Sequence, residues 1–151
     1  MKAFRVLGTN HTSFTVSSLD RTIAFFRDCL GFDLVSRAPR DPGLVSRITG
    51  VPGAQVTIAF LRGAGHTVEL IEYAAPADRG KVVARPCDAG FAHLALNVDD
   101  AEAAVAAAAA FGVAPIAPPV AIDQGPNRGR KVVYVRDADG VTIEFIEAQV
   151  G

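Results

Sequence analysis

Apolar and polar positions along this chain follow a pattern that is written twice. Alternation from Val6 to Val16 predicts a strand, and Ser17 or Ser18 then opens a helix that runs through Leu30. Within that helix Ile23, Phe26 and Leu30 recur at helical spacing, and Gly31 supplies a left-handed stop. Three more strands are predicted at Phe32–Ser36, Gln55–Leu61 and Thr67–Tyr73, the first two separated by a proline- and glycine-rich loop. The order is β-α-β-β-β. It returns from Phe91, with a strand to Val98, a helix from Asp99 to Ala110, and a short strand near Val113–Ile116. Strands at Lys131–Arg136 and Val141–Glu147 complete it, joined by the turn Asp137-Ala138-Asp139-Gly140.

The repetition extends to single residues. Thr67-Val68-Glu69-Leu70-Ile71-Glu72 comes back as Thr142-Ile143-Glu144-Phe145-Ile146-Glu147, and a histidine lies upstream of each copy, His11 and His93. Each histidine is followed by a helix-start signal, Ser17-x-x-Asp20 and Asp99-x-x-Glu102, and each helix closes on a glycine, Gly31 and Gly112. The expectation is one α+β domain over residues 1–151, with modules at 4–75 and 90–148 and a linker at 76–89. The alanine-rich second helix reads as a small-faced helix that lies close to a sheet.

Strand parity sorts the special residues by face. His11 falls with Thr9, Ser13 and Thr15, and His93 with Phe91, Ala95 and Asn97. Glu69 shares its side with Thr67 and Ile71, and Glu144 with Thr142 and Ile146. The opposite faces are more apolar and suit each module's own helix. The His/Glu faces are mixed, as a polar cavity requires, and they permit all four residues to converge if the modules pack side by side. Glu72 and Glu147 have the other parity and read as solvated.

Half of the 151 residues are hydrophobic and 21% are charged, enough for a real core. A formal net charge of −1 without charge blocks points to no nucleic acid and no anionic membrane. No apolar run approaches the roughly 18 residues that span a bilayer, and the start lacks a signal-peptide core, so a cytoplasmic protein is expected. Cys29 and Cys87 are too few for a disulfide framework and read as reduced thiols.

The residues around these positions resemble the vicinal oxygen chelate superfamily, which includes glyoxalase I, methylmalonyl-CoA epimerase, extradiol dioxygenases and the fosfomycin and bleomycin resistance proteins. The resemblance runs over His11, the segment from Val16 to Phe26, Leu30-Gly31-Phe32, Val68-Glu69-Leu70, the segment from His93 to Asp100, and the segment from Tyr134 to Glu144. It implies paired βαβββ modules whose mixed sheets curl around a central metal cavity, a small-molecule substrate, and a homodimer. Carried over by position, it implies His11, Glu69, His93 and Glu144 as ligands of one divalent metal ion: Zn, Ni, Co, Mn or Fe.

A fourth protein ligand at Glu69 is similar to the glyoxalase and epimerase pattern rather than to three-ligand dioxygenases. The implied activity is that of a lyase or isomerase, with Glu144 or Glu69 as both ligand and proton shuttle. Alternatives are an extradiol-type dioxygenase and a metal-free small-ligand-binding protein. For substrate binding, Asn127 and Arg128 stand out in the loop Asp123–Lys131, which offers positive charge and backbone amides to a carboxylate or phosphate. The loop Arg37–Gly53 is expected as a lid or a long connection.

Overall fold

The computed structural model describes residues 3–148. In the first module β1 (Thr12–Val16) leads into α1 (Leu19–Ala24), which continues as a π-helical turn over Phe25–Cys29. Then come β2 (Asp33–Pro39), α2 (Pro42–Thr49), β3 (Gln55–Gly63) and β4 (His66–Ala75). The second module has β5 (Leu94–Val98), α3 (Ala101–Ala109), β6 (Ala114–Pro115), β7 (Val120–Ala121), β8 (Lys131–Arg136) and β9 (Thr142–Glu147). One sheet has the order β1-β4-β3-β2; the other runs β5-β9-β8-β6, with β7 also on β8. In each sheet the module's first and last strands lie parallel and the rest are antiparallel.

The helix starts show why the module repeats so closely. Ser18, in extended backbone, accepts from the Arg21 N–H, and Asp100 likewise accepts from Ala103. A second acceptor arrives from the sheet. The parallel register sets Val16 opposite Glu72 and Val98 opposite Glu147, so each glutamate ends beside the strand that feeds the helix. Glu72 takes the Leu19 N–H at 2.6 Å and Glu147 takes the Ala101 N–H at 3.2 Å. These two carboxylates, expected to be solvated, are half-buried and each engages a helix N–H. They sit on the helix side, as expected, and satisfy first-turn donors at the positive end of the helix dipole. Glu72→Ala is expected to cost about 1 kcal/mol, read as a lower urea midpoint at unchanged slope; an unchanged midpoint would reduce the contact to decoration.

Gly31 and Gly112 end the helices at φ 72° and 71°, as their spacing predicts. Three expectations shift. β1 begins at Thr12 rather than Val6, because its partner β4 begins at His66, leaving residues 6–9 nothing to pair with. Phe4, Val6 and Leu7 are accordingly 75%, 82% and 88% exposed. β5 begins at Leu94 rather than Phe91 for the same reason, since β9 starts at Thr142. The loop between β2 and β3 contains α2, whose signals were present: Asp41 accepts from Leu44 N, Pro42 opens the first turn, and Gly50 closes it at φ 71°.

The helix-side faces of both sheets meet in one apolar cluster. Phe26, Phe32, Leu61, Val68 and Leu70 enter from the first module, and Ala108, Val133, Val135, Ile143 and Phe145 from the second. Phe25 meets Phe111 across the modules at 6.2 Å between ring centroids. Ala101 and Ala108 are wholly buried, so the alanine-rich helix does use its small face for close approach. Among the described residues, no helix is long and apolar enough to cross a membrane.

Candidate functional site

Burying one face of each sheet against the helices leaves the other face open, and the histidines and glutamates lie there. Register then sets their pairing. Ser13 on β1 stands opposite Glu69, and Ala95 on β5 stands opposite Glu144. Each histidine precedes that residue by two positions, on the same face and one alternation away. His11 Nε2 thus lies 3.3 Å from Glu69 Oε2, and His93 Nε2 lies 3.0 Å from Glu144 Oε2. The glutamates are only 13% and 17% exposed while the histidines keep about a third of their surface, so each pair is reachable from one side.

The strand beyond each glutamate repeats as well. Phe60 on β3 faces Glu69 and Tyr134 on β8 faces Glu144. His11 packs edge-on against Phe60 at 5.9 Å, and His93 lies 4.8 Å from Tyr134. Burial, helped by the Glu144 charge, holds the Tyr134 phenol above its ordinary value, so it stays a protonated donor at neutral pH. Asn10 Oδ1 lies 2.7 Å from His11 Nδ1, and since a carbonyl oxygen only accepts, Nδ1 carries the proton. Nε2 is the ring nitrogen turned toward Glu69, and with Nδ1 engaged by Asn10 it is the nitrogen that a divalent ion would take. The third histidine, His66, bonds Thr12 Oγ1 through Nε2 at 2.9 Å and ties β4 to the edge strand.

Among the described residues, no group of three or more His, Cys, Asp or Glu side chains converges closely enough to hold a metal ion. The chain thus brings its four predicted ligands together two by two, one pair on each sheet. A cavity of about 240 Å³ opens beside the second pair, lined by Ser13, Thr15, Val82, Phe91, His93 and Thr142. Asn127 and Arg128 lie elsewhere. Their loop folds back on itself through Gly129 N to Ile122 O at 2.7 Å, and Arg128 lines a separate polar cavity with Asp99, Arg130 and Glu147. Glu147 is at the far end of β9 from Thr142, so the same chain does not bring this loop to the His93–Glu144 pair.

Sequence reasoning passed over Tyr134 and Arg136 on β8. The signal was there: they alternate with the buried Val133 and Val135, which puts them on the open face beside Glu144 and Thr142. Both cysteines are free thiols, and burial pushes Cys29 up, which disfavours its reactive thiolate form.

Known proteins resemble this chain in sequence and in fold. The chain is 32% identical over 150 residues to a 2-epi-5-epi-valiolone epimerase from Actinomyces sp, covering 96% of this chain and 81% of that protein. It is also 32% identical over 142 residues to the lactoylglutathione lyase of Haemophilus influenzae, covering 91% and 90% of the two chains. A glyoxalase family protein from Bacillus cereus superimposes with a TM-score of 0.84 at 25% identity, over 99% of each chain. The family model of the Glyoxalase/Bleomycin resistance protein/Dioxygenase superfamily matches residues 8–145, a span that holds both His–Glu pairs. With two βαβββ modules, a histidine and a glutamate paired on the open face of each, and a family match across both, the chain belongs to this superfamily.

Proposed function

We propose that this protein is a metal-dependent isomerase or lyase that moves a proton at a carbon beside a carbonyl of a small oxygenated substrate. The observation that carries the reading is the duplicated pair, a histidine Nε2 next to a glutamate oxygen at 3.3 and 3.0 Å. Ligand bonds of roughly 2.1 Å set neighbouring donors about 3.0 Å apart at a right angle and about 3.4 Å apart at a tetrahedral angle. Both pairs fall in that interval. Two imidazoles and two carboxylates also balance the charge of a divalent ion and suit Zn, Ni, Co, Mn or Fe(II). When bound, such an ion polarises adjacent substrate oxygens and acidifies the neighbouring C–H.

The remaining chemistry belongs to the chain. Glu144, 17% exposed and beside His93, is our choice for the carboxylate that takes the proton and returns it. Return to the opposite face of the same carbon is epimerisation; return to the adjacent carbon interconverts a hydroxyl and a carbonyl. Tyr134 offers a neutral O–H on the strand facing Glu144, able to donate to a substrate oxygen. The relatives named as an epimerase and a lactoylglutathione lyase support this pairing of reaction types. Since the described residues of one chain gather these donors two at a time, we assign the completed site to a homodimer, in which His11 and Glu69 of one subunit meet His93 and Glu144 of the other.

Metal content of untagged protein tests the reading. About one divalent ion per chain is expected in the wild type, lost in His11→Ala and in His93→Ala. Glu144→Gln is expected to lower solvent-deuterium incorporation into a turned-over ketone by roughly 10²-fold or more. A wild-type protein that takes up no metal on reconstitution, or a fully active Glu144→Gln variant, would remove the proposal.

A further inference from the structure

We infer that Arg136 is a specificity-determining residue that receives an anionic substituent, a carboxylate or phosphate, of the substrate. It stands on the face of β8 shared with Tyr134, directly across from Thr142 and diagonal to Glu144. A diagonal pair across neighbouring strands is about 7–8 Å apart, the span of a small substrate that has one end at Glu144.

The side chain is held rather than free. Its Nε donates to Thr142 Oγ1 at 3.0 Å, and its guanidinium carbon lies 5.5 Å from the centroid of the Phe91 ring. Phe91 in turn packs against His93 at 6.0 Å and Tyr134 at 6.3 Å, so the guanidinium is joined to the reacting pair through one aromatic contact. Nη2 is shut off from solvent with no acceptor, and among the described residues no carboxylate pairs with Arg136. A shielded guanidinium nitrogen without an acceptor is costly unless a ligand supplies one. A planar, permanently charged fork is suited to a carboxylate or phosphate oxygen.

The repeat isolates what is special here. Arg62 occupies the corresponding place, opposite Thr67, but it is exposed. The residue corresponding to Phe91 is Thr9, and the one corresponding to Tyr134 is Phe60. One departure from the repeat, Phe91 in place of Thr9, thus gives one arginine a ring to lie on and not the other, while Tyr134 in place of Phe60 adds a hydroxyl beside it. The inference rests on reading the His93–Glu144 pair as the reacting centre.

The test titrates malonate and, separately, inorganic phosphate into EDTA-treated protein at constant ionic strength, followed by amide NMR. One of the two anions is expected to bind the wild type and Arg62→Met alike. Arg136→Met is expected to weaken it roughly tenfold or more at an unchanged melting temperature, with Arg136→Lys in between. Which anion binds tells carboxylate from phosphate. No binding of either anion to the wild type, or equal binding by Arg136→Met, would overturn the inference. Should Arg136→Met fail to fold, Arg136→Lys decides, since unchanged affinity there refutes recognition by the planar fork. Metal is absent throughout, so a failure of the metal reading shows in metal content and leaves this result separate.

Discussion

Two inactive double variants, His11→Ala/Glu69→Ala and His93→Ala/Glu144→Ala, are expected to restore one another when mixed. Each alone lacks half of the donors at every site and is expected to hold no metal. In a mixed dimer with sites shared across the interface, one site inherits both defects and the other inherits none. Random exchange makes half of the dimers mixed, so about a quarter of wild-type metal and turnover should return. The physical basis is the grouping of the donors: 3.3 and 3.0 Å within each pair, with no group of three or more among the described residues of one chain. Differently tagged subunits, refolded together, report how many mixed dimers form. If mixed dimers form and neither metal nor turnover returns, each chain completes its own site and the shared-site reading is lost.

Asp139→Asn is expected to be the most destabilising of the conservative changes considered. Asp139 sits in the turn between β8 and β9, yet its side chain is only 6% exposed and reaches the first module. Its Oδ2 accepts from the Ser17 N–H at 2.7 Å, from the Ser17 hydroxyl at 2.9 Å and from Arg21 at 2.5 Å, with Lys81 3.6 Å from Oδ1. One carboxylate thereby ties the last hairpin to the start of α1 and to the linker. An amide in its place leaves Arg21 without a counter-charge, and a loss of about 2–3 kcal/mol follows. For a chain of this size that is a fall of roughly 5–10 °C in melting temperature.

The pH dependence of this loss has a definite sign. Burial pushes the Asp139 carboxyl up, but the Ser17 hydrogen bonds and the charges of Arg21 and Lys81 outweigh it, leaving it below the ordinary 3.8. Its contribution is therefore complete above that value and disappears as pH falls through the lowered one in the folded state. Asp137, two residues earlier in the same turn, runs the other way: burial holds it above 3.8, and its cost is relieved as pH falls through that raised value. The gap between wild type and Asp139→Asn should then stay constant from pH 7 to 5 and close only below about pH 4. Urea midpoints at pH 7, 5 and 3 read this directly. Equal midpoints at pH 7, or a gap that fades by pH 5, would show that the turn does not carry the load assigned to it.

Local chemistry was legible wherever neighbours in sequence settle the outcome. Gly31 and Gly112 end the helices as their spacing requires, and Ser18 caps the first; the second cap falls on Asp100, one residue after the expected Asp99, because it is Asp100 that reaches the Ala103 N–H. Alternation placed His11, Glu69, His93 and Glu144 on faces opposite the buried Val68, Leu70, Ile143 and Phe145. α2 was equally local, marked by Asp41, Pro42 and Gly50, and was passed over among the prolines of its loop.

Other features depended on partners distant in sequence. Alternation at Val6–Asn10 looks like a strand, but a strand needs a neighbour, and β4 starts too late to give one. Glu72 and Glu147 read as solvated because the helix N–H groups they satisfy lie some fifty residues away. The loop with Asn127 and Arg128 has suitable side chains, but folding puts it at the far end of β9 from the His93–Glu144 pair. The sequence by itself determined the module, its repeat and the face of each candidate ligand, since parity and capping are short-range geometry. Only the tertiary structure decided how far each pair closes, that one chain gathers its donors two at a time, and that Arg136 rather than Arg62 is shielded on an aromatic ring. Those outcomes depend on strand register and sheet packing, in which residues far apart in the chain become neighbours.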